Sequence, residues 1–499
     1  MRHALLPALG LALLACGSRG GDYGAPLQSE GPYASASYAV ALNATDSALV
    51  VIDPHSTAAP RAFALPGGAH HLTLTPDGST ALVVTGGAQD PALVEVSLAP
   101  ATLGQVTVVA LPANPDVVNV SPDGHFALLT YDTAAAQTAS GQAIIDPNEA
   151  VIVDLSFASA TRVALGTDSP APSGVSFAPP GQGGAQLCAV LFADGLALLD
   201  LGAPSQVLRV PVRIQGGPAV APLKALFSSF AQGQGYVYVL AAQTDDVIAV
   251  ALSTAGGLSG SINFLAGGQG LVDIALPPGP PPPSTVLALY AGQPAAMQLD
   301  ATGRVDLTLA TPLPAPATHL APAGSGLLWL WADPSSSGAA QVALWKPAQG
   351  QVATVQLDGP AQGFTVAPSG LAAVAAVSAS QPELVVLQAS QGPKLTASPL
   401  VLAAQAIAPT FDPGSGDVYF GEANQPFLAR VAPGTLANDQ VTLDAPATGV
   451  GLAGGAVWAA QNTPFGQLTA VPVGSFTRAS AEVFPSYLIT QEVALVSGP

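Results

Sequence analysis

Residues 71–85 read HLTLTPDGSTALVVT, and this stretch decides the fold class. Polar and apolar residues alternate before a Thr-Pro-Asp-Gly sequence at residues 75–78, and an apolar run follows it. Proline presets φ at the second position of a type I turn and glycine is favoured at the fourth, so the stretch predicts two strands joined by a tight turn. Apolar runs at residues 92–96 and 106–111 complete a unit of four predicted strands.

The same kind of turn recurs along the chain. Its prolines lie 46, 57, 98, 45, 46 and 45 residues apart, which gives a period of about 46 residues if the longest interval holds two units. A fixed period of this size is the mark of a repeat architecture. The turns lie at residues 75–78, 121–124, 178–181, 276–279, 321–324 and 367–370, with a variant at 412–414.

The composition favours an all-β chain. Charged residues make up only 9% of the 499 residues, whereas the 53 glycines and 48 prolines are spread between short apolar runs. Many short strands separated by many tight turns produce this pattern. A β-sandwich and a parallel β-helix are the alternatives, but neither has a repeat of about 46 residues.

The order of strands and turns resembles the bacterial surface-type β-propeller repeats called YVTN or NHL-like. The resemblance rests on the Pro-Asp-Gly turn between the first and second of four strands and covers roughly residues 38–499. The Tyr-Val-Thr-Asn signature is absent, and Leu82-Val83-Val84-Thr85-Gly86 stands in its place. The resemblance implies a β-propeller of four-stranded antiparallel blades, each of about 46 residues.

The number of blades follows from counting units. We expect eight to ten repeats, because nine full units follow an incomplete first one that has three strands between residues 38 and 65. Its missing strand is expected from residues 487–496, so that the C-terminal strand closes the ring and removes an exposed sheet edge. Ten blades exceed the usual four to eight. Three arrangements therefore stay open: one unusually large ring, a ring in which some units are not blades, and two smaller rings.

The N-terminus is typical of an exported protein. A short basic start precedes the apolar stretch 4–14, which is too short to cross a bilayer as a helix. Leu13-Leu14-Ala15-Cys16 resembles the bacterial lipobox, which implies a signal peptide at residues 1–15 and a cysteine acylated with palmitate-type chains. An ordinary signal peptide, which would leave the protein secreted and free, is the alternative.

Residues 16–37 are predicted to be a lipidated, flexible tether, because they are rich in Gly, Ser and Pro and have no apolar period. Gly17 after the cysteine implies, by the same resemblance, an outer-membrane lipoprotein of the bacterial cell envelope. With Cys16 acylated, Cys188 has no disulfide partner in the chain. Its apolar surroundings predict a buried structural residue.

Candidate site residues are few. His70 and His71 form the only histidine pair, at the start of a predicted first strand, and only one of them can face the channel because strand neighbours point to opposite faces. Asp116, Asp273 and His319 lie at or near the start of other first strands. Around one axis, His71, Asp116, Asp273 and His319 could bind a metal ion or polar ligand at the channel rim. Solvated rim residues are the alternative.

No catalytic residue or cofactor is predicted. HExxH, P-loop, CxxC, CxxCH and G-x-S-x-G motifs are all absent, and a formal charge of −19 argues against a nucleic-acid partner. The sequence predicts a membrane-anchored, non-catalytic propeller that binds or scaffolds another envelope protein or a polymer. The alternatives are an enzyme of the lactonase or quinoprotein sort with its site at the channel mouth, and a structural component of a cell-surface layer or envelope complex.

Overall fold

The fold is a closed ring of ten four-stranded antiparallel blades. The computed structural model describes residues 28–485 and 493–494, apart from 57, 87–89, 116, 132–147, 167–171, 180–185, 214–216, 256, 278–283, 302–309, 379, 391–393, 462 and 464–465. In each blade the strands follow one another in sequence order across the sheet. The prediction of an all-β propeller of four-stranded blades is confirmed.

The strands of the first five blades are β1 (Ser29–Ala34), β2 (Ala39–Asn43), β3 (Ala48–Ile52), β4 (Arg61–Ala64); β5 (His71–Leu74), β6 (Thr80–Thr85), β7 (Ala92–Ser97), β8 (Val106–Ala110); β9 (Val117–Val120), β10 (Phe126–Thr130), β11 (Glu149–Asp154), β12 (Ser159–Ala164); β13 (Gly174–Phe177), β14 (Leu187–Phe192), β15 (Gly195–Asp200), β16 (Val207–Pro211); and β17 (Pro222–Phe227), β18 (Gln234–Ala241), β19 (Val247–Ser253), β20 (Ser259–Leu265).

The strands of the second five blades are β21 (Leu271–Ala275), β22 (Thr285–Tyr290), β23 (Ala295–Asp300), β24 (Thr311–Pro312); β25 (His319–Ala323), β26 (Leu327–Trp331), β27 (Gln341–Lys346), β28 (Gln351–Gln356); β29 (Ala361–Val366), β30 (Ala372–Ser378), β31 (Pro382–Ala389), β32 (Leu395–Val401); β33 (Ala406–Phe411), β34 (Val418–Glu422), β35 (Gln425–Ala432), β36 (Ala437–Thr442); and β37 (Ala447–Ala453), β38 (Ala456–Gln461), β39 (Gln467–Pro472), β40 (Glu482–Pro485). Three short 3₁₀ turns lie at Pro347–Gln349, Val473–Ser475 and Arg478–Ser480.

The Pro-Asp-Gly turns join the first and second strands of their blades, as predicted. In blade 2, the Gly78 N–H donates to the Thr75 carbonyl at 2.8 Å, and the Thr75 hydroxyl donates to Asp77 Oδ1 at 2.6 Å. Burial alone would raise the pKa of Asp77, but hydrogen bonds from Thr75 and Ser79 outweigh it and lower the pKa. The turn expected at residues 321–324 is displaced, because Pro322 lies inside β25 and the chain turns after Ala323.

Ten apolar clusters hold the blades together, and each takes its side chains from two neighbouring blades. Val40 of blade 1 packs with Leu72 of blade 2 in one cluster, for example, and the other interfaces follow the same plan around the ring. The tenth cluster packs Trp458 and Phe484 of blade 10 against Ile52 of blade 1. Successive interfaces therefore close into one ring, which excludes two smaller rings.

Both ends of the chain meet in blade 1, in a way that differs from the sequence prediction. Its first strand is β1, which begins at Ser29 inside the predicted tether, so the folded body starts before residue 38. Residues Val493–Ala494 form β41, which pairs in parallel with β4 at the opposite edge of the sheet. The C-terminal segment joins the predicted sheet but does not supply its missing first strand.

Candidate functional site

The first strand of each blade lies nearest the ring axis. First strands of neighbouring blades contact each other, as β21 contacts β25 and β1 contacts β5, whereas the fourth strands are mostly exposed. Ten blades around one axis leave a central channel bordered by these strands. We call the end at which the first strands begin the channel entrance.

Asp273 on β21 links three blades at the channel entrance. Its Oδ1 accepts a hydrogen bond from Lys224 Nζ of blade 5 at 2.8 Å, and its Oδ2 accepts one from the Leu320 N–H of blade 7 at 3.0 Å. Lys224 also donates to the Ile274 carbonyl at 2.8 Å. Only 11% of the Asp273 side chain is exposed. Both carboxylate oxygens are thus occupied by neighbouring blades, and Asp273 acts as a structural clamp.

Glu30 makes the equivalent contact between blades 1 and 2. Its Oε2 accepts a hydrogen bond from the Leu72 N–H at 2.8 Å, and its Oε1 lies 3.5 Å from His71 Nδ1. The Tyr33 hydroxyl donates to the same Oε1 at 3.1 Å, and burial together with the Glu30 charge raises the pKa of Tyr33. His71 therefore has a carboxylate partner of its own.

His319 belongs to a stack of three rings. Its imidazole lies 5.2 Å from the Trp331 ring, and the Trp331 ring also stacks on Phe364 of blade 8 at 4.5 Å. His319 Nε2 is 2.7 Å from Asp333 Oδ1, and this hydrogen bond lowers the pKa of Asp333. The Asp333 carboxylate is thus held in its charged form beside the stack.

The indole N–H of Trp331 differs from those of the other three tryptophans. Trp329, Trp345 and Trp458 donate their indole N–H groups to Gly370, Thr311 and Ala453 respectively. Within the part of the chain that the structure describes, the Trp331 indole N–H has no acceptor. Trp331 is only partly buried, so this donor is free to bind a ligand or water.

A β-bulge at the second residue of the first strand recurs in blades 5, 6, 8 and 10. The pairing skips Leu223, Val272, Gln362 and Thr448, so that each bulge inserts one extra residue near the channel entrance. Bulges re-aim side chains and are common near functional sites. Leu223 is 62% exposed, and Val117 at the start of β9 is 46% exposed. The entrance therefore presents aliphatic side chains to solvent.

The predicted rim residues are only partly brought together. Asp273 and His319 lie on adjacent first strands and are joined through Leu320, whereas His71 lies in blade 2 beside Glu30. Asp116 lies outside the described residues. Groups of three or more His, Cys, Asp and Glu side chains able to hold a metal ion are absent from the described residues. The metal or polar-ligand site stays a prediction.

Cys188 has the predicted position. It lies on β14, is fully buried between blades 3 and 4, and burial raises the pKa of its thiol. Cys16 lies outside the described residues, so its lipidation stays a prediction. In the described part of the chain, no helix has the length and apolar character needed to cross a bilayer.

Sequence reasoning missed Leu223, Trp331 and Phe364. Trp331 ends the apolar run 327–331, which reads as a wholly buried strand. The position of Trp331 in its strand could have identified it. The last residue of a second strand pairs with the first residue of the first strand of the same blade, and the partner of Trp331 is His319. Leu223 could not be singled out, since its exposure depends on a bulge that the residue types do not encode.

No protein-family model matches this sequence, and no curated protein matches it. Several solved structures are similar in part. A dihydro-heme d1 dehydrogenase NirN is 14% identical, with 84% of this chain and 76% of that one covered and a TM-score of 0.43. A eukaryotic initiation factor is 11% identical, with 76% and 89% covered and a TM-score of 0.47. Sqt1 from Chaetomium thermophilum is 14% identical, with 58% and 79% covered and a TM-score of 0.38. The fold assignment rests on the structure itself.

Proposed function

We propose that this chain is a non-catalytic binding and scaffolding module of the bacterial cell envelope, held at the outer membrane by a lipid on Cys16. Its channel entrance binds a partner protein. One observation carries this proposal: exposed aliphatic side chains, above all Leu223, lie on the same end of the ring as the Trp331 stack and its free indole N–H. Apolar anchors beside aromatic rings and a few polar groups are the composition of protein-binding surfaces.

The polar groups at the entrance favour binding over catalysis. His71, Asp273 and His319 each have a protein partner, and Asp273 has both oxygens occupied. A general acid or base must reach a substrate proton, and Asp273, whose two oxygens are both held within the protein, is poorly placed to do so. The lactonase or quinoprotein class would need converging, accessible groups of this kind.

Substitution of Leu223 by Asp tests the binding surface. The partner is first identified as a protein that co-purifies in a fixed ratio with the wild-type protein from its native envelope. We expect Leu223→Asp to weaken the affinity for this partner at least about tenfold, because the new carboxylate would be desolvated in the interface. The purified components would then be measured by surface plasmon resonance.

Val401→Asp is the matched control, because Val401 is 56% exposed but lies on a fourth strand at the outer edge of blade 8. This variant should retain the partner. A partner bound equally well by the Leu223→Asp protein, or released equally by both variants, would place the contact elsewhere and contradict the proposal.

A further inference from the structure

A cleft of about 570 Å³ opens between blades 5 and 6, away from the channel entrance. Its floor is the face of blade 5 near the turns that join strands one to two and three to four. Strand pairing sets Tyr236 beside Ala251 and Ser261 in one row, and Gln234 beside Ser253 and Ser259 in the next. Ser284, which directly precedes the second strand of blade 6, forms part of the opposite wall.

The cleft exists because the residue sizes change along the blade. Deeper in the same interface, Tyr238, Leu240 and Leu265 fill the space against blade 6. Toward the turns, Ala251, Ser253, Ser259 and Ser261 take the place of these large side chains, and the cleft opens there. Packed interiors hold few voids larger than a water molecule, and a space of this volume is instead the size of a ligand site.

The lining contains no charged side chain, in a chain whose formal charge is −19, and it combines apolar surface from alanines and Leu252 with the hydroxyl groups of serines and Tyr236. Among the described residues, the side-chain oxygens of Ser253, Ser259, Ser261 and Tyr236 have no hydrogen-bond partner. Each hydroxyl can both donate and accept a hydrogen bond. A charged ligand would find no counter-charge here, and a purely apolar ligand would leave the hydroxyls unpaired.

The aromatic ring of Tyr236 lies at the inner end of the cleft floor. The Tyr236 ring is stacked on Tyr238 at a centroid distance of 5.9 Å and an interplanar angle of 15°. Tyr238 is fully buried and holds Tyr236 in place, while Tyr236 itself is partly exposed and lines the cleft. A fixed, partly exposed ring beside several free hydroxyls suits a ligand that has both C–H faces and hydroxyl groups.

We propose that this cleft binds a neutral oligosaccharide, or one segment of a neutral glycan chain. The apolar face of a sugar ring packs on Tyr236, and sugar hydroxyls exchange hydrogen bonds with the serines and Gln234. The site lies at the opposite end of the blades from the channel entrance, so it is separate from the surface that contains Leu223.

The test is isothermal titration of the purified mature protein with neutral hexasaccharides built from glucose and from N-acetylglucosamine. We expect at least one to bind, and Tyr236→Ala to weaken its affinity by about tenfold. Ser261→Trp provides a second variant, since it fills the cleft from an exposed position and removes no packed atom. Phe157→Ala, which removes an aromatic ring that is 81% exposed in blade 3, and Leu223→Asp should both retain wild-type affinity.

Two results with saccharides would overturn the proposal. One is failure of every neutral saccharide to bind the wild-type protein. The other is an affinity that the folded Ser261→Trp variant leaves unchanged. Binding of an uncharged peptide that Ser261→Trp abolishes and that no saccharide competes would also overturn it, by making the cleft a peptide site.

Discussion

At the scale of single residues, Glu95 is the clearest case of a carboxyl group whose charged form is disfavoured in the folded protein. It lies on β7, and its Oε1 is buried without a hydrogen-bond partner among the described residues. Burial, with a smaller contribution from the Asp154 charge of blade 3, raises the pKa of Glu95 to about 7. The folded protein therefore keeps a proton on Glu95 that the unfolded chain releases above pH 4.5.

Stability should fall as pH rises from about 4.5 to about 7, and stay at the lower level above that. We expect Glu95→Gln to stabilise the protein at pH 8 and to have little effect at pH 5. The group is only about half-buried, so solvent screening limits the expected gain at pH 8 to about 1 kcal/mol. Guanidinium denaturation midpoints at the two pH values measure it.

Asp77→Asn should behave in the opposite way, because the pKa of Asp77 is lowered by its turn hydrogen bonds. The ionised Asp77 side chain stabilises the folded protein at neutral pH, and this contribution is lost as the pH falls through the folded pKa of Asp77. Asp77→Asn should therefore destabilise the protein at neutral pH and have less effect in acid. An equal effect of Glu95→Gln at pH 5 and pH 8 would mean that the carboxylate is not desolvated in the folded protein.

Residue types alone identified the positions of Asp273 and His319 but not their roles. The sequence places both near the start of first strands, and the structure agrees. The sequence could not supply the interaction partners of these two residues. Blade packing brings Lys224 and Leu320 to Asp273, and strand pairing and turns bring Trp331 and Asp333 to His319. Such contacts between repeats depend on the rotation from one blade to the next, which no short motif encodes.

At the scale of strands and turns, prediction worked where residues were buried on both faces and failed at β1, the first strand of blade 1. Strands such as β3 and β6 are continuous apolar runs. β1 has the sequence SEGPYA, is mostly exposed and contains a bulge, so it shows neither an apolar run nor alternation. Because first strands border the channel, only part of their surface is buried, and the pattern that identifies a strand is weak.

The C-terminal strand β41 gives a prediction about how the ring is closed. Among the described residues it pairs through Ala62–Val493 and Phe63–Ala494, whereas the packing of Trp458 and Phe484 on blade 1 joins the two ends of the ring. We therefore expect a protein that ends at residue 485 to fold and to keep most of its thermal stability. Differential scanning calorimetry compares it with the full chain.

Trp458→Ala is the contrasting variant. It removes a large buried side chain and its N–H bond to the Ala453 carbonyl at 3.1 Å, so a loss of about 3–5 kcal/mol is expected. If the truncated protein were as unstable as Trp458→Ala, closure would depend on the C-terminal strand after all.

At the scale of the whole molecule, the sequence period correctly indicated up to ten repeats but could not decide between one ring and two. That choice depends on the sum of small angles between blades, set by side-chain volumes at ten interfaces. In the closing interface, the small residues Ala39 and Ala41 share one cluster with the large side chain of Trp458. A single ring also brings β1 and β41, the first and last described strands, into one sheet.

The position of blade 1 sets how far the body can lie from a lipid on Cys16. Thirteen residue steps separate Cys16 from Ser29, so a fully extended chain reaches at most about 45 Å. If the predicted lipidation occurs, the start of β1 lies within that distance of the lipidated residue. More than one acyl chain is needed for stable anchoring, as the resemblance of residues 13–16 to a lipobox implies.

The anchor is tested by Cys16→Ser, which should move the protein from the membrane fraction to the soluble fraction and remove acyl mass from its N-terminus. Fractionation followed by intact-mass spectrometry measures both. Cys188→Ala is the matched control, because that thiol is fully buried in β14 and should leave the fractionation unchanged. A Cys16→Ser protein that stays with the membrane would show that attachment depends on a protein partner or surface contact, and Cys16 would then have no anchoring role.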